Sequence, residues 1–553
     1  MDLKELTRRK DYLANGRTIW NAHAQEIVDN IAQDRRGFTS TRAEGEKAGN
    51  ILYEGTAMHS SDLFARGVFD LMCNPGLRWF GVGTERREAK ENREAKIWLD
   101  LYENALYTIL NKSNFYDAVQ EMFKDLGDFG TGCQYLGEIP RAIVNFRNMH
   151  LGDVYFSENS QGAVDTLYRM MTWTARQIVA EFPDTASPDV IKAFKDNPEE
   201  PFEVMQAVLP RDELPRGNVI SFNSRGKRDN RSMPWASIYL EISKLQLLSE
   251  SGYREFPFMV PRLRRAPGEV MGRGLGMMAL PFAKGLNRMK YDILRAGSKR
   301  VDPPLLFSND TMINPLRRNP EAVNIMRADT VKDKFAFLVS PHDPNYEQWL
   351  VQDDRQMVRQ IYFNDLLELT ELPSRTAFEV AKLLERKMRL LGGSYGQLQS
   401  GYFNPMFDRL HNVVLESGYL PPPPEILWGE ELRIDYLSPL ARAQQSAASE
   451  GILEGAGFVG QIMSFYPEIV DIADWDQAGR EFMESRGVSP KIILAPEEVA
   501  RKRQERAQVQ QAQEMAAMLG QAAQTMPALS KGPEAGSPME LLNQQFREGA
   551  GNV

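Results

Sequence analysis

Five histidines, His23, His59, His150, His342 and His411, are the side chains best suited to ligate a metal or move a proton near neutral pH. None stands in an HExxH arrangement or at any paired ligand spacing, and a metal site needs convergent ligands. They read as structural or surface residues. The two cysteines, Cys73 and Cys133, make no CxxC pair and cannot build a disulfide framework, so a reducing compartment is expected. GAGFVG at Gly455–Gly460 matches G-x-G-x-x-G, but a dinucleotide site needs a strand ahead of it. The residues ahead, ARAQQSAASEGILE, are helical in character. GRGLG at Gly272–Gly276 could cradle a phosphate on its amides, yet no Walker lysine and hydroxyl follow. The chain has no P-loop and no GxSxG elbow, and no pair of its many carboxylates stands out as catalytic. These residues predict no enzyme, no cofactor and no metal.

What remains is an asymmetry of charge. Between Arg254 and Lys334 there are 16 Lys/Arg and 8 Asp/Glu, a balance of +8. The whole chain is −9, so the remainder carries −17. Inside this segment the spacing predicts a long helix over 277–300. At 100° per residue, Lys284, Arg288, Arg295 and Lys299 fall within about 60° of one another. Phe282, Leu286, Met289 and Ile293 cluster near the opposite side. Grouped cations disfavour a helix slightly. That cost is tolerable against a nucleic-acid backbone or against acidic residues of an adjacent subunit; a solvated face is the third reading.

The surrounding elements follow from periodicity and breakers. Apolar Leu6, Leu13, Ile19, Trp20, Ile27 and Ile31 predict one amphipathic helix over 3–33, and 50–73 and 92–126 read as two more. Asn74–Val82, NPGLRWFGV, reads as a turn and a strand, and Cys133–Ile139 as another strand. Residues 140–263 alternate short strands with one or two helices. Pro303 and Pro304 end the long helix. FAFLV at Phe335–Val339 is strand-like, and a second long helix runs from 346 to 371, where Pro373 interrupts it. Helices follow over Thr376–Leu391, stopped by Gly392 and Gly393, and over 403–418. After the stiff Pro421–Pro424, residues 425–437 read as a strand pair and 439 to 525 as mostly helical. The fold class expected is α+β, predominantly helical. At 553 residues and 42% hydrophobic content the chain suits about three to four domains. No apolar run nears the roughly 18 residues of a membrane span, and MDLKELTRRKDYL lacks the apolar core of a signal peptide.

Several of these segments together resemble one family, the head-to-tail connecting (portal) proteins of short-tailed bacteriophages. ILYEGTAMHSSDLFARGVFDLM followed by NPGLRWFGV is similar to the family's Tyr-acid-x-Thr helix and its Trp-Phe strand, carried by Tyr53, Thr56, Trp79 and Phe80. GRGLGMMALPFAKGLN and then DPPLL resemble its stem entry and paired prolines, through Gly272, Arg273, Gly274, Leu280, Pro281, Asn287, Pro303 and Pro304. SRTAFEVAKLLERKMRLLGG, LPPPP and YLSPLARAQQ resemble three later signatures. The resemblance covers roughly 5–445, and its strength lies in the order and spacing of motifs that are weak singly.

The resemblance implies a ring, usually of twelve subunits, at one capsid vertex, with a central channel for double-stranded DNA. It implies a wing over 1–271, a first stem helix over 272–302, a clip over 303–345 and a second stem helix over 346–371. A channel loop over 372–376, with Leu372, Pro373, Ser374 and Arg375, would project into the channel; a plain helix corner is the other reading. A long wing helix and return strands would occupy 377–438, a helical crown 439–526 and a disordered tail 527–553. Implied partners are the terminase large subunit, then tail or connector (adaptor) proteins, with the major capsid and scaffolding proteins around the ring. Such a subunit is made in the host bacterial cytoplasm, ends in the virion and touches no membrane. The alternatives are another structural virion protein, either capsid or internal ejection protein, and a nucleic-acid enzyme.

Overall fold

A computed structural model describes residues 3–40, 43, 45–46, 51–86, 92–139, 143–214, 233–301, 305–307, 335–337, 344–367, 396–429, 432–437, 439–485, 492–494 and 496–524. The expected channel loop Leu372–Arg375, the helix Thr376–Leu391, His342, most of 303–345 and the tail 527–553 lie outside them. The chain forms two compact units, Met1–Ala448 and Ser449–Val553.

The first unit starts with α1 (Leu3–Gly16), α2 (Thr18–Asn30), α3 (Thr56–Cys73), β1 (Phe80–Thr84), α4 (Arg93–Lys112) and α5 (Phe115–Phe129). Two helices in this part of the chain that the periodicity joined are in fact broken. Between α1 and α2 the break falls at Arg17, which is 7% exposed and donates to the carbonyls of Val154 and Gly152. Between α4 and α5 it falls at Asn114. That amide donates to Phe146 O at 2.7 Å and accepts from Phe146 N at 2.9 Å, so it acts as a strand partner rather than a helical residue. A short polar side chain competing for backbone groups is what periodicity does not register.

Next come β2 (Gln134–Ile139), β3 (Ile143–Asn148), β4 (Val154–Glu158), β5 (Val164–Thr174), α6 (Ala175–Glu181), α7 (Pro188–Asp196), β6 (Pro201–Pro210), β7 (Trp235–Glu241), β8 (Gln246–Tyr253) and β9 (Phe258–Met259). Strands β4 to β8 form an antiparallel sheet in sequence order. Val204–Leu209 of β6 are buried without alternation, because both faces are covered. Helices α6 and α7 pack Ile178 and Val190 against one face; α1 packs Leu6 with Tyr168, Met205 and Ile238 on the other. Thr174 and Gln177 form a capping box on α6, and Ser187 caps α7 ahead of Pro188.

Helix α8 (Leu275–Val301) and helix α9 (Pro344–Ile361) are the long pair, packed on one another. Pieces of strand, β10 (Leu305–Phe307) and β11 (Phe335–Phe337), pair antiparallel in the sequence between them. The single helix expected over 346–371 is corrected: it stops at Ile361, well before Pro373, because Phe363 turns left-handed at φ +57°. After this break come α10 (Asn364–Leu367), a π-turn at Gln399–Phe403, α11 (Asn404–Glu416) and β12 (Leu432–Tyr436). The expected strand pair over 425–437 is corrected here. Glu425–Leu427 is a 3-10 turn, and β12 pairs with β1, far away in sequence, with Phe80 opposite Tyr436. Trp79 stands beside this ladder against the rings of Phe115, Phe403 and Phe407. Phe80 stacks on Tyr107 with ring centres 4.2 Å apart, and the Tyr107 hydroxyl donates to Phe80 O at 2.8 Å.

Helix α12 (Pro439–Ile462) carries the GAGFVG segment within a continuous helix, which disposes of a dinucleotide turn. The second unit also holds α13 (Trp475–Ser485) and α14 (Pro496–Gln524), clasped by Arg503 on both Asp476 oxygens at 2.6 Å. Phe465 is 90% exposed and Ile472 76%, and Leu453, Phe458 and Ile492 are also largely open. No described helix is long and apolar enough to cross a membrane.

Candidate functional site: the junction at the base of the long helices

Four segments meet where α8 begins, and glycine decides how closely. Helix α5 ends at Gly130, whose φ is +77°, a left-handed conformation that suits glycine. The GRGLG segment lies across this end. A Cβ on Gly272 would stand 2.1 Å from Gly130 O, one on Gly274 2.4 Å from Asp128 O, and one on Gly276 2.5 Å from Asp128 O. Gly272 N donates to Thr131 Oγ1 at 2.8 Å, and Leu263 N to Gly130 O at 2.9 Å. The glycines therefore serve backbone-to-backbone packing, and the amide of Gly272 already has a protein acceptor.

Beneath this crossing lies Asp128, which is 0% exposed. Its carboxyl accepts from Ser61 Oγ of α3 and from the Tyr362 hydroxyl just beyond α9, both at 2.8 Å. Burial pushes the carboxyl up to about 6, against the opposing pull of those two hydrogen bonds. One turn earlier, Asp125 faces Arg35 Nε at 3.0 Å, and burial lifts it to about 7. Lys124 joins Asp34 and Asp62, each at 2.6 Å. Among the described residues, no group of three or more His, Cys, Asp or Glu could hold a metal ion.

The Tyr53–Thr56 segment ties both long helices to α3. Tyr53 N donates to Asn287 Oδ1 of α8 at 2.6 Å, and the Tyr53 ring lies 5.2 Å from that of Tyr291. Arg355 of α9 donates to Glu54 Oε2 at 2.6 Å, while Thr56 donates to Glu54 Oε1. Burial raises the Glu54 carboxyl, but Arg355 and Thr56 outweigh it and hold it below its ordinary value. Motif residues far apart in sequence thus meet in pairs: Tyr53 with Asn287, and Phe80 with Tyr436.

Leu286 of α8 is 1% exposed, and Phe282, Met289 and Ile293 pack against the core. On the outer side Lys284 pairs with Glu26 of α2 at 2.8 Å, and Arg288 with Asp292 at 3.0 Å. Arg295 is exposed and has no partner among the described residues; the side chain of Lys299 lies outside them. Two of the four cations are therefore already neutralised within the subunit by exposed pairs, which are weak and exchangeable.

A family model described as bacteriophage head to tail connecting protein matches residues 3–494. The chain belongs to that family. It is 30% identical over 539 residues to the portal protein of Salmonella phage epsilon15, covering 96% of this chain and 95% of that one. It is 28% identical over 536 residues to a probable portal protein of Bordetella phage BPP-1, with 95% of each chain covered. In this connector-family subunit, sequence reasoning found Tyr53, Trp79, Phe80, Gly272, Gly274 and Asn287 but missed Asp128, Ser61, Tyr362 and the Glu54–Arg355 pair. The glycines flanking Asp128, Gly127 and Gly130, were the available signal of close packing there.

Proposed function

We propose that the chain is the portal subunit of a short-tailed phage, a non-enzymatic ring component at one capsid vertex through which DNA is packaged and ejected. The family match over 3–494 carries this reading. The large apolar side chains open on the second unit support it, because a surface of that kind needs neighbours. In this reading twelve copies close head to tail. Residues 1–271 form the wing, 272–302 and 346–371 the stem, 303–345 the clip, 377–438 the long wing helix and return strand, 439–526 the crown, and 527–553 a disordered tail. The loop Leu372–Arg375 projects into the channel. The terminase large subunit docks during packaging and adaptor proteins afterwards, while major capsid and scaffolding proteins surround the ring. The subunit is made in the host cytoplasm. Negative-stain imaging of purified protein is expected to display rings with a central hole; a protein that stays monomeric at micromolar concentration would overturn the reading.

The outer stripe of α8 is proposed to face DNA or an acidic neighbour. Replacing Lys284, Arg288, Arg295 and Lys299 together by glutamine separates the two: intact rings with less DNA packaged per particle assign the stripe to the channel. Loss of rings instead assigns the stripe to pairing between subunits. Normal rings with normal packaging would leave a solvated face. Lys284→Gln alone should have the smaller effect, since Glu26 already occupies it.

A further inference from the structure

Helix α9 ends abruptly, and three consecutive residues explain how. Tyr362 is 0% exposed and its hydroxyl is held by Asp128 at 2.8 Å. Phe363 follows with φ +57°, a left-handed conformation unusual for a bulky residue. Asn364 is 2% exposed; with its amide turned to the orientation that satisfies both its oxygen and its nitrogen, it donates to Ser60 O at 3.1 Å and Tyr362 O at 3.3 Å and accepts from Ser60 Oγ at 2.9 Å. The receiving groups are neighbours on the framework. Ser60 and Ser61 are adjacent on α3, each 1% exposed, and Ser61 is the other donor to Asp128. The Asp128 carbonyl is itself fixed under Gly274 and Gly276 at the start of α8.

A helix can stop at any solvent-facing corner for little cost. Here the stop is pinned on both sides of a strained residue by buried polar groups, and strain persists only where its surroundings over-determine it. One pin reaches Asp128, whose carbonyl also lies against the beginning of α8, and the other reaches Ser60, next to the second donor to Asp128. We propose that Tyr362 and Asn364 form a two-point latch, closed on Asp128 and Ser60, that fixes the direction in which the chain leaves α9 and so positions the segment leading to Leu372–Arg375. The latch rests on the portal reading for its consequence, since that reading places those residues by the DNA. Tyr362 and Asn364 are positioning residues and need touch no DNA. Rigid fixing at the base gives every copy in a ring the same exit direction, so that symmetric loops would define one aperture rather than a spread of them.

The test compares full-length variants assembled into rings and then into proheads. Tyr362→Phe removes one pin and Asn364→Ala the other. Ser61→Ala removes an equivalent hydrogen bond to the same carboxyl but leaves both pins in place, so it reports the cost to stability alone. Tyr362→Phe and Asn364→Ala are expected to form rings, to speed amide hydrogen exchange across 361–367, and to lower retained DNA severalfold. Ser61→Ala is expected to shift the melting temperature comparably with neither change. Should Tyr362→Phe fail to assemble, Phe363→Gly decides, because it relaxes the joint without removing a buried polar partner; it should form rings that retain less DNA. Rings with wild-type DNA retention in the pin variants, or an equal loss in Ser61→Ala, would overturn the latch. Absence of rings from the wild-type protein would instead sink the portal reading, and the exchange measurement on 361–367 would still decide whether the pins hold the joint.

Discussion

Gly274→Ala should destabilise the subunit by roughly 3 kcal/mol, the upper part of the usual overpacking range, while Gly285→Ala, farther along the same segment, should stabilise it. At Gly274 the new methyl meets Asp128 O at 2.4 Å and Gly130 N at 2.5 Å. Both are backbone atoms and cannot rotate aside. Relief would require α8 to lift from the end of α5, breaking the seat of Leu275 and Ala279, which are 1% and 0% exposed. At Gly285 the nearest atom is Asp354 Oδ2 at 3.8 Å, an ordinary contact. There alanine should gain about 0.8–1 kcal/mol from helix propensity. Urea denaturation of the two variants beside wild type checks the pair; equal signs would refute the backbone-packing role of the GRG glycines.

Replacing Asp128 by leucine should cost about 3 kcal/mol, since it strips the acceptor from two buried hydroxyls, Ser61 and Tyr362. Asp128→Asn keeps an acceptor and should cost far less, and its effect should depend on pH. The folded carboxyl titrates near 6, above the ordinary aspartate value of 3.8. The folded state therefore binds a proton that the unfolded state has released between those two values, and stability from this group rises as pH falls through that window. Above about 6 the buried charge is carried at full cost. The difference in unfolding free energy between wild type and Asp128→Asn should thus move in favour of wild type as pH drops from 7 to 4. A difference that stays flat would mean that burial does not raise the Asp128 carboxyl above its ordinary value.

The long-helix pair was legible because its apolar positions recur at helical spacing over many turns, but the end of the second at Ile361, ahead of the left-handed Phe363, was not. Leu286, Met289 and Ile293 do face the core. The breaks at Arg17 and Asn114 were not legible, because each is made by one polar side chain finding a backbone group distant in sequence. The pairing of β1 with β12 was hidden for a related reason. A five-residue strand carries too little pattern to name a partner on the far side of the chain. Asp128 looks from its neighbours like a surface residue of an amphipathic helix. Only the third dimension brings Ser61 and Tyr362 to it. The GRG motif was found as a family mark, while its physical meaning, two backbones in contact, needed the position of Gly130.

The ladder between Phe80 and Tyr436 also sets a clock. Trp79 and Phe80 leave the ribosome early, but Phe403, Phe407 and β12, which complete their surroundings, come late. At about 5–20 residues per second, the wait is roughly 20–70 s. Throughout it the nascent chain holds a half-built aromatic cluster, the kind of surface that chaperones bind and that aggregates when crowded. Contacts of such wide sequence separation form slowly even afterwards, because a long loop must close before it is rewarded. Synthesis of the N-terminal helices therefore cannot by itself yield an assembly-competent subunit. Truncated products ending before Leu432 should be cleared or aggregate rather than reach the folded state.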